Sequence, residues 1–351
     1  MKKMKQKIIS LILTVVMICA MLPVTAFAAG TVAKIGDVKY ATLDEAVAAA
    51  KDGDTIELLQ DATTNGLNLS KDLTIRAADG LAQKPTVTFQ QRGIALWGKA
   101  LTFKNCNVVM DGIGSTPYGE WSWMSICASK DASLTLDNVN MTMDAEGTTN
   151  SPHAIYFCNN NVLNLVNDTS LTIKNYANDA LEWDGGNGGY NVNITDSTFV
   201  SDHNRSGFTG TFYATITNSD VDVINSTGNG SNGSHFVIDH SKVNFNDNGS
   251  HGLSAGNLTI KNHSIVTAND NGMYGVTYTG TMSMDGTSVL NAIGNASSTS
   301  GGGLRAANST TVSTVESGAK VTIEENLHNG LENYGTFTFE DNVLSYLILH
   351  F

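Results

Sequence analysis

Short runs in which every second residue is apolar recur along most of the chain, each closing on a polar bend residue. Leu101–Asn105, Leu134–Asn138, Leu163–Asn167, Val192–Asp196, Ala214–Asn218, Phe236–His240, Leu258–Asn262 and Met282–Gly286 are such runs. Their central residues Phe103, Leu136, Leu165, Ile194, Ile216, Ile238, Ile260 and Met284 follow one another at intervals of 33, 29, 29, 22, 22, 22 and 24 residues. Alternation of this kind predicts strands with one buried face. A second short apolar strand comes next, as in Val243–Phe245, Val266–Ala268 and Val321–Ile323. Further on, a small residue precedes an apolar one: Gly93-Ile94, Ala154-Ile155, Ala180-Leu181, Gly207-Phe208, Gly252-Leu253, Gly275-Val276, Gly303-Leu304 and Gly330-Leu331.

Three short strands per repeat, separated by polar bends, describe one coil of a parallel β-helix. A single coil cannot bury its apolar positions, so coils stack and pair backbones at about 4.8 Å. The bend residues Asn105, Asn138, Asn167, Asp196, Asn218, His240 and Asn262 then fall in one column. Asn and Asp suit a sharp bend because they tolerate left-handed backbone and bond to neighbouring amides. The pattern predicts an all-β, three-sheet solenoid of about a dozen coils of roughly 22 residues. One helix precedes it. Thr42-Leu43-Asp44-Glu45 has the spacing of a capping box, Ala46–Lys51 favours helix, and Gly53 stands where a helix would end. This predicts a helix over 43–51 capping the solenoid, then a strand over Thr55–Leu59.

Composition agrees and narrows the partners. Charged residues make up 15%, while 36 Asn and 34 Gly supply turns. The net charge of −13 argues against a nucleic-acid partner, which needs clustered Lys and Arg. Lys2, Lys3, Lys5 and Lys7, the apolar run Ile8–Leu22 and the small residues of Ala26-Phe27-Ala28 form a secretory signal. Without residues 1–28 the charge is −17 (16 basic against 33 acidic residues), and no apolar stretch long enough to span a bilayer remains. The chain divides into a signal peptide (1–28), an N-terminal cap (29–60), the β-helix (61–342) and an apolar C-terminal segment (343–351), either a plug over the last coil or a broken reading frame. Cys106, Cys127 and Cys158 are too few for a disulfide framework and lack zinc spacing. A Cys127–Cys158 bridge and buried thiols both fit.

The opening Ile35-Gly36-Asp37, Tyr40-Ala41-Thr42-Leu43-Asp44-Glu45-Ala46-Val47 and Asp52-Gly53-Asp54-Thr55-Ile56 resembles a cap segment of surface proteins from Gram-positive bacteria. With the bend asparagines, which resemble an asparagine ladder, the chain is similar to the pectin-lyase-like superfamily over residues 33–342. The resemblance implies a right-handed parallel β-helix. It does not choose a function, because one fold carries many sites.

Chemistry is expected where the repeat is interrupted. Asp111–Trp123, Ala145–Pro152 and Asp184–Tyr190 are insertions that flank one face over neighbouring coils. On that face the register puts His153 and Asp179 in one column, and Tyr156 and Glu182 in the next with Arg205 a coil further. Tyr118, Trp121 and Trp123 offer rings for sugars, and alternation turns Trp183 inward. Ligand binding is therefore assigned to Tyr118, Trp121, Trp123, His153, Tyr156, Asp179, Glu182 and Arg205, with His153, Asp179 and Glu182 as candidates for acid/base work. His251 in Gly249-Ser250-His251-Gly252 falls on an ordinary repeat position, and the acidic and basic motifs of polygalacturonase-like hydrolases are missing. No cofactor or metal site is assigned. The Asn269-Asp270-Asn271-Gly272 and Asn246-Asp247-Asn248-Gly249 bends could ligate Ca²⁺, although such bends ordinarily serve as turns.

These observations lead to a secreted, cell-surface-associated, monomeric β-helix that binds a polysaccharide or a host or matrix glycan without turnover, in the manner of an adhesin. The alternative is a polysaccharide lyase or glycoside hydrolase acting in a groove on the loop-flanked sheet.

Overall fold

The computed structural model describes residues 30–347 except 117–122, 149, 151, 184–188, 297–299 and 342–343. Residues 1–28, where the sequence predicts a signal, lie outside the described residues, as do Tyr118 and Trp121. From Val32 onward the chain is a right-handed parallel β-helix. In a representative coil, Val162–Val166 lies on the first sheet, Ser170–Lys174 on the second and Leu181–Trp183 on the third. Among the described residues the second sheet has twelve strands, from Ala62–Thr64 to Leu344–Leu347, the latter paired with Lys320–Glu324, and the third has seven, ending at Ser231–Asn232. Beyond it, Leu253–Lys261 runs without a bend from the third face onto the first, and the later third-face strands join the first sheet through it.

The N-terminal edge is covered as the sequence predicts. The helix spans Leu43–Ala49, two residues shorter at its end, with the Thr42 hydroxyl accepting from Glu45 N at 3.1 Å and Glu45 Oε2 accepting from Ala41 N at 3.1 Å. Leu43 and Ala46 bury its inner side, and Ala33–Ile35 pairs antiparallel with Asp54–Leu58 beside it.

Inside, alternation holds coil after coil: Leu134, Leu136, Leu163, Leu165, Val192, Ile194, Leu258 and Ile260 are all buried. Aromatic rings pack along the axis, Phe157 stacked on Tyr190 at 4.6 Å and Phe212 edge-on to Phe236 at 5.2 Å. Tyr190 therefore belongs to the core strand Tyr190–Thr195, not to the insertion before it. Ser125-Ile126 supplies a further small–apolar pair on the third sheet, in register with Gly93-Ile94. One coil lacks the pair: the buried Ser231 replaces the apolar residue and bonds through Oγ to Ser254 O.

The column of bends is real: Asn105, Asn138, Asn167, Asp196, Asn218, His240 and Asn262 all have φ between 47° and 57°. It lies between the first and second sheets and is largely solvated. A second ladder is buried at the bend after the second sheet. Asn248 donates from backbone and side chain to Asn271 Oδ1, Asn271 likewise to Asn295, and Asn295 to Asn326, all at 2.9–3.1 Å. This ladder explains the recurring glycines. A Cβ on Gly252, Gly275 or Gly303 would lie 2.6, 2.6 or 2.8 Å from the Nδ2 of Asn271, Asn295 or Asn326. A serine ladder (Ser197, Ser219, Ser241, Ser264, Ser288) links backbone N–H to Oγ of the next coil at 3.1–3.2 Å.

Candidate functional site

The strands of the third sheet bring the site together by register. Met124 faces His153, and Cys127 faces Tyr156, which faces Glu182. The backbone of Ala154 donates to Asp179 O at 3.0 Å, so His153 and Asp179 stand on adjacent coils as the repeat predicts. Their side chains meet: His153 Nδ1 is 3.9 Å from Asp179 Oδ2 and in contact with Glu182 Oε2. Although that nitrogen and oxygen face each other as an ion pair, neither makes a hydrogen bond of acceptable geometry, and both atoms are buried.

Asp179 has no exposure at all, an unusual position for a carboxylate. Arg205 accounts for it, donating from Nε to Oδ1 at 2.9 Å and from its terminal nitrogen to Oδ2. The Asp179 carboxylate in turn holds the guanidinium above its usual range. Arg205 lies in the bend before Ser206, one coil beyond Asp179, and reaches back to it. The place next to Glu182 in its column belongs to Thr209. The buried Tyr190 hydroxyl makes no hydrogen bond, and burial, with the charges of Asp179 and Glu182, holds it neutral well above the ordinary tyrosine range.

An aromatic edge flanks the charges. Trp123, 39% exposed, packs edge-on against Tyr156 with ring centres 4.8 Å apart and against His153 at 5.5 Å. Trp183 is partly buried against the core, as alternation requires. None of the three cysteines forms a disulfide. Register explains this: Cys127 faces Tyr156, which puts Cys158 two residues further along, diagonal to it. Burial pushes the Cys127 thiol up to about 12.

An open groove of about 540 Å³ lies elsewhere, along the bend column, lined by Asp168, Asp196, Asn218, His240, Ser241 and Lys242. No Phe, Tyr or Trp lines it, and its buried hydroxyls Ser197, Ser219 and Ser241 are engaged in the serine ladder, so we place function at the His153 cluster. Among the described residues, His153, Asp179 and Glu182 are also the one group of three such side chains close enough to share an ion, with ligand atoms within 4.8 Å of one another. No helix there is long and apolar enough to cross a membrane.

No known family profile matches the chain, and no curated protein matches it. Among solved structures it is similar to a GH136 lacto-N-biosidase from Eubacterium ramulus, at 11% identity and a TM-score of 0.39. That match covers 82% of this chain, which spans 60% of the other protein's length. So loose a likeness carries no chemistry from one chain to the other.

Proposed function

We propose that this protein is exported and binds a glycan on the third sheet, around Trp123, Tyr156, Glu182 and Arg205, without turning it over. The observation that carries this reading is the convergence of a partly exposed indole with a half-exposed guanidinium and a carboxylate at the mouth of the His153–Asp179 cluster. The Arg205 side chain is 47% exposed and that of Glu182 18%. Indole rings cover the apolar face of a sugar, while forked guanidinium and carboxylate groups pair with hydroxyls. Asp179 acts behind them, fixing Arg205. Attachment to a cell surface is part of the same proposal, supported by the likeness of the cap segment.

Hydrolysis is the second reading, favoured by the proximity of Asp179 and Glu182, since retaining glycosidases set two carboxyls about 5 Å apart. Against it, both oxygens of Asp179 are engaged by Arg205 and the group is shut off from substrate. The test is incubation of the secreted chain with pectins, alginate, mucin glycans and glycosaminoglycans, scoring retention on immobilised glycan and products by mass spectrometry. Retention that is lost in Trp123→Ala, with no products, is the expected result. Released oligosaccharides would overturn the binding reading, and an unsaturated end would mark a lyase.

A further inference from the structure

We propose that His153, Asp179 and Glu182 form a site for one divalent first-row transition-metal ion, bound through Nδ1 of the imidazole and one oxygen of each carboxylate. The three side chains stand on adjacent coils, so the backbone ladder fixes their relative positions before any ion arrives. His153 Nδ1 and Asp179 Oδ2 are 3.9 Å apart, and the whole set lies within 4.8 Å. An ion with bonds of about 2.0–2.2 Å joins ligand atoms up to about 4.4 Å apart. Glu182 Oε2 touches Nδ1, so a small outward swing of Glu182, at the rim, makes room for the ion between them.

The second observation is the state of the atoms that would bind. Nδ1 of His153 and Oε2 of Glu182 are buried, touch only as an ion pair and make no hydrogen bond, and the His153 side chain is 10% exposed. Buried polar atoms are ordinarily hydrogen-bonded, and two that are not mark a place for a further partner. Charge points the same way. Two carboxylates converge against one guanidinium, so the cluster carries an uncompensated negative charge when His153 is neutral. Arg205 grips both oxygens of Asp179, as outer partners orient metal-binding carboxylates, and each oxygen keeps a further lone pair for an ion. One imidazole nitrogen among the ligands favours Zn²⁺ and its neighbours over Ca²⁺ and Mg²⁺, which prefer oxygen alone.

The site coincides with the glycan face, and an ion with three protein ligands has open positions for hydroxyls; that last role rests on the glycan reading, whereas ion binding does not. The test uses the secreted chain stripped with EDTA, titrated with ZnCl₂ by calorimetry and with CoCl₂ by visible absorption, with CaCl₂ and MgCl₂ as comparators. One equivalent of Zn²⁺ is expected, with a Co²⁺ spectrum of low coordination number. Affinity should fall at least 100-fold in His153→Ala and Glu182→Gln and stay unchanged in His263→Ala, which alters an exposed imidazole on another bend. Glu182→Gln keeps the shape of the side chain, and circular dichroism with thermal melting shows that each variant is folded. Absence of a stoichiometric Zn²⁺ site, equal binding by His153→Ala, or preference for Ca²⁺ would overturn the proposal. Glycan retention that survives EDTA in a chain without a Zn²⁺ site removes the ion and leaves the glycan reading. A Zn²⁺ site in a chain that retains no glycan does the reverse.

Discussion

Replacing Arg205 with Met should damage the protein more than replacing the partner it serves. Asp179 is fully buried and both its oxygens accept from Arg205, so Arg205→Met leaves a buried carboxylate with no counter-charge and Glu182 close by. Removing one partner of a buried pair costs about 3–5 kcal/mol. Here the guanidinium end is 47% exposed and already screened by water, which reduces the expectation to about 2–3 kcal/mol. Asp179→Asn removes the charge at the buried end and leaves an arginine that water can solvate, so it should cost about 1 kcal/mol. Unfolding entropy of about 2.1 cal/mol/K per residue over a unit of roughly 320 residues makes each kcal/mol worth about 1.5 °C, so Arg205→Met should melt about 3–5 °C lower. The conversion assumes that the stacked coils melt together, which coincident fluorescence and circular-dichroism transitions would verify. The double variant Arg205→Met/Asp179→Asn should recover at least half of the loss. If Arg205→Met costs no more than Asp179→Asn, or the double variant is no better than Arg205→Met, then Arg205 is not what stabilises the buried charge.

Other parts of the molecule make independent predictions. Asn271→Ala deletes four buried hydrogen bonds and should cost about 3–5 kcal/mol by urea unfolding, whereas Asn262→Gly, at an exposed left-handed bend, should cost under about 1 kcal/mol. Gly275→Ala should be comparably harmful, because its Cβ would sit 2.5 Å from Ala268 O and 2.6 Å from Asn295 Nδ2, in a ladder that cannot retreat. Burial, and then the charge of Arg305, hold His251 below its ordinary range, so its contribution to stability is full above the unfolded value of about 6.5 and is lost as pH falls through the folded value. Melting temperatures of wild type and His251→Gln measured from pH 7.5 to 5 should show the flatter profile in the variant. Thiol titration with a chromogenic disulfide should modify the half-buried Cys158 first and reach Cys106 and Cys127 only on unfolding, since burial pushes both of those thiols up to about 12.

The solenoid was legible because its repeat is enforced by geometry. Every coil must place apolar residues inward at the same phase, and the runs around Leu165, Ile194 and Ile260 say so directly. The bend column was legible for the same reason, since left-handed backbone selects Asn and Asp. The buried ladder was not, because Asn248, Asn271, Asn295 and Asn326 look like further turn residues inside polar stretches. A signal was there: Asn248, Asn271 and Asn326 each precede by four residues the glycines at 252, 275 and 330. A glycine is needed where the amide of the next coil presses on the backbone, so the two residue types are one packing unit seen at two positions.

The site was legible to a lesser degree, and the reason lies in what a stacked sheet makes ordinary. In any parallel β-helix, outward residues at equivalent positions of adjacent coils stand about 4.8 Å apart, so columns of His, Asp and Glu arise without purpose. Proximity alone therefore distinguishes nothing, and the pairing of His153 with Asp179 could be read from the repeat without knowing whether it mattered. What separates this column from the solvated one at Asp168, Asp196 and Asn218 is the exclusion of water from outward positions, which periodicity does not encode. It comes from a long side chain reaching back across a coil and from rings set against the opening, Arg205 on Asp179 and Trp123 with Tyr156 beside His153. A β-helix acquires a site where residues that its repeat would leave in water are taken out of it, and buried outward carboxylates are the feature by which such sites can be sought in other solenoids.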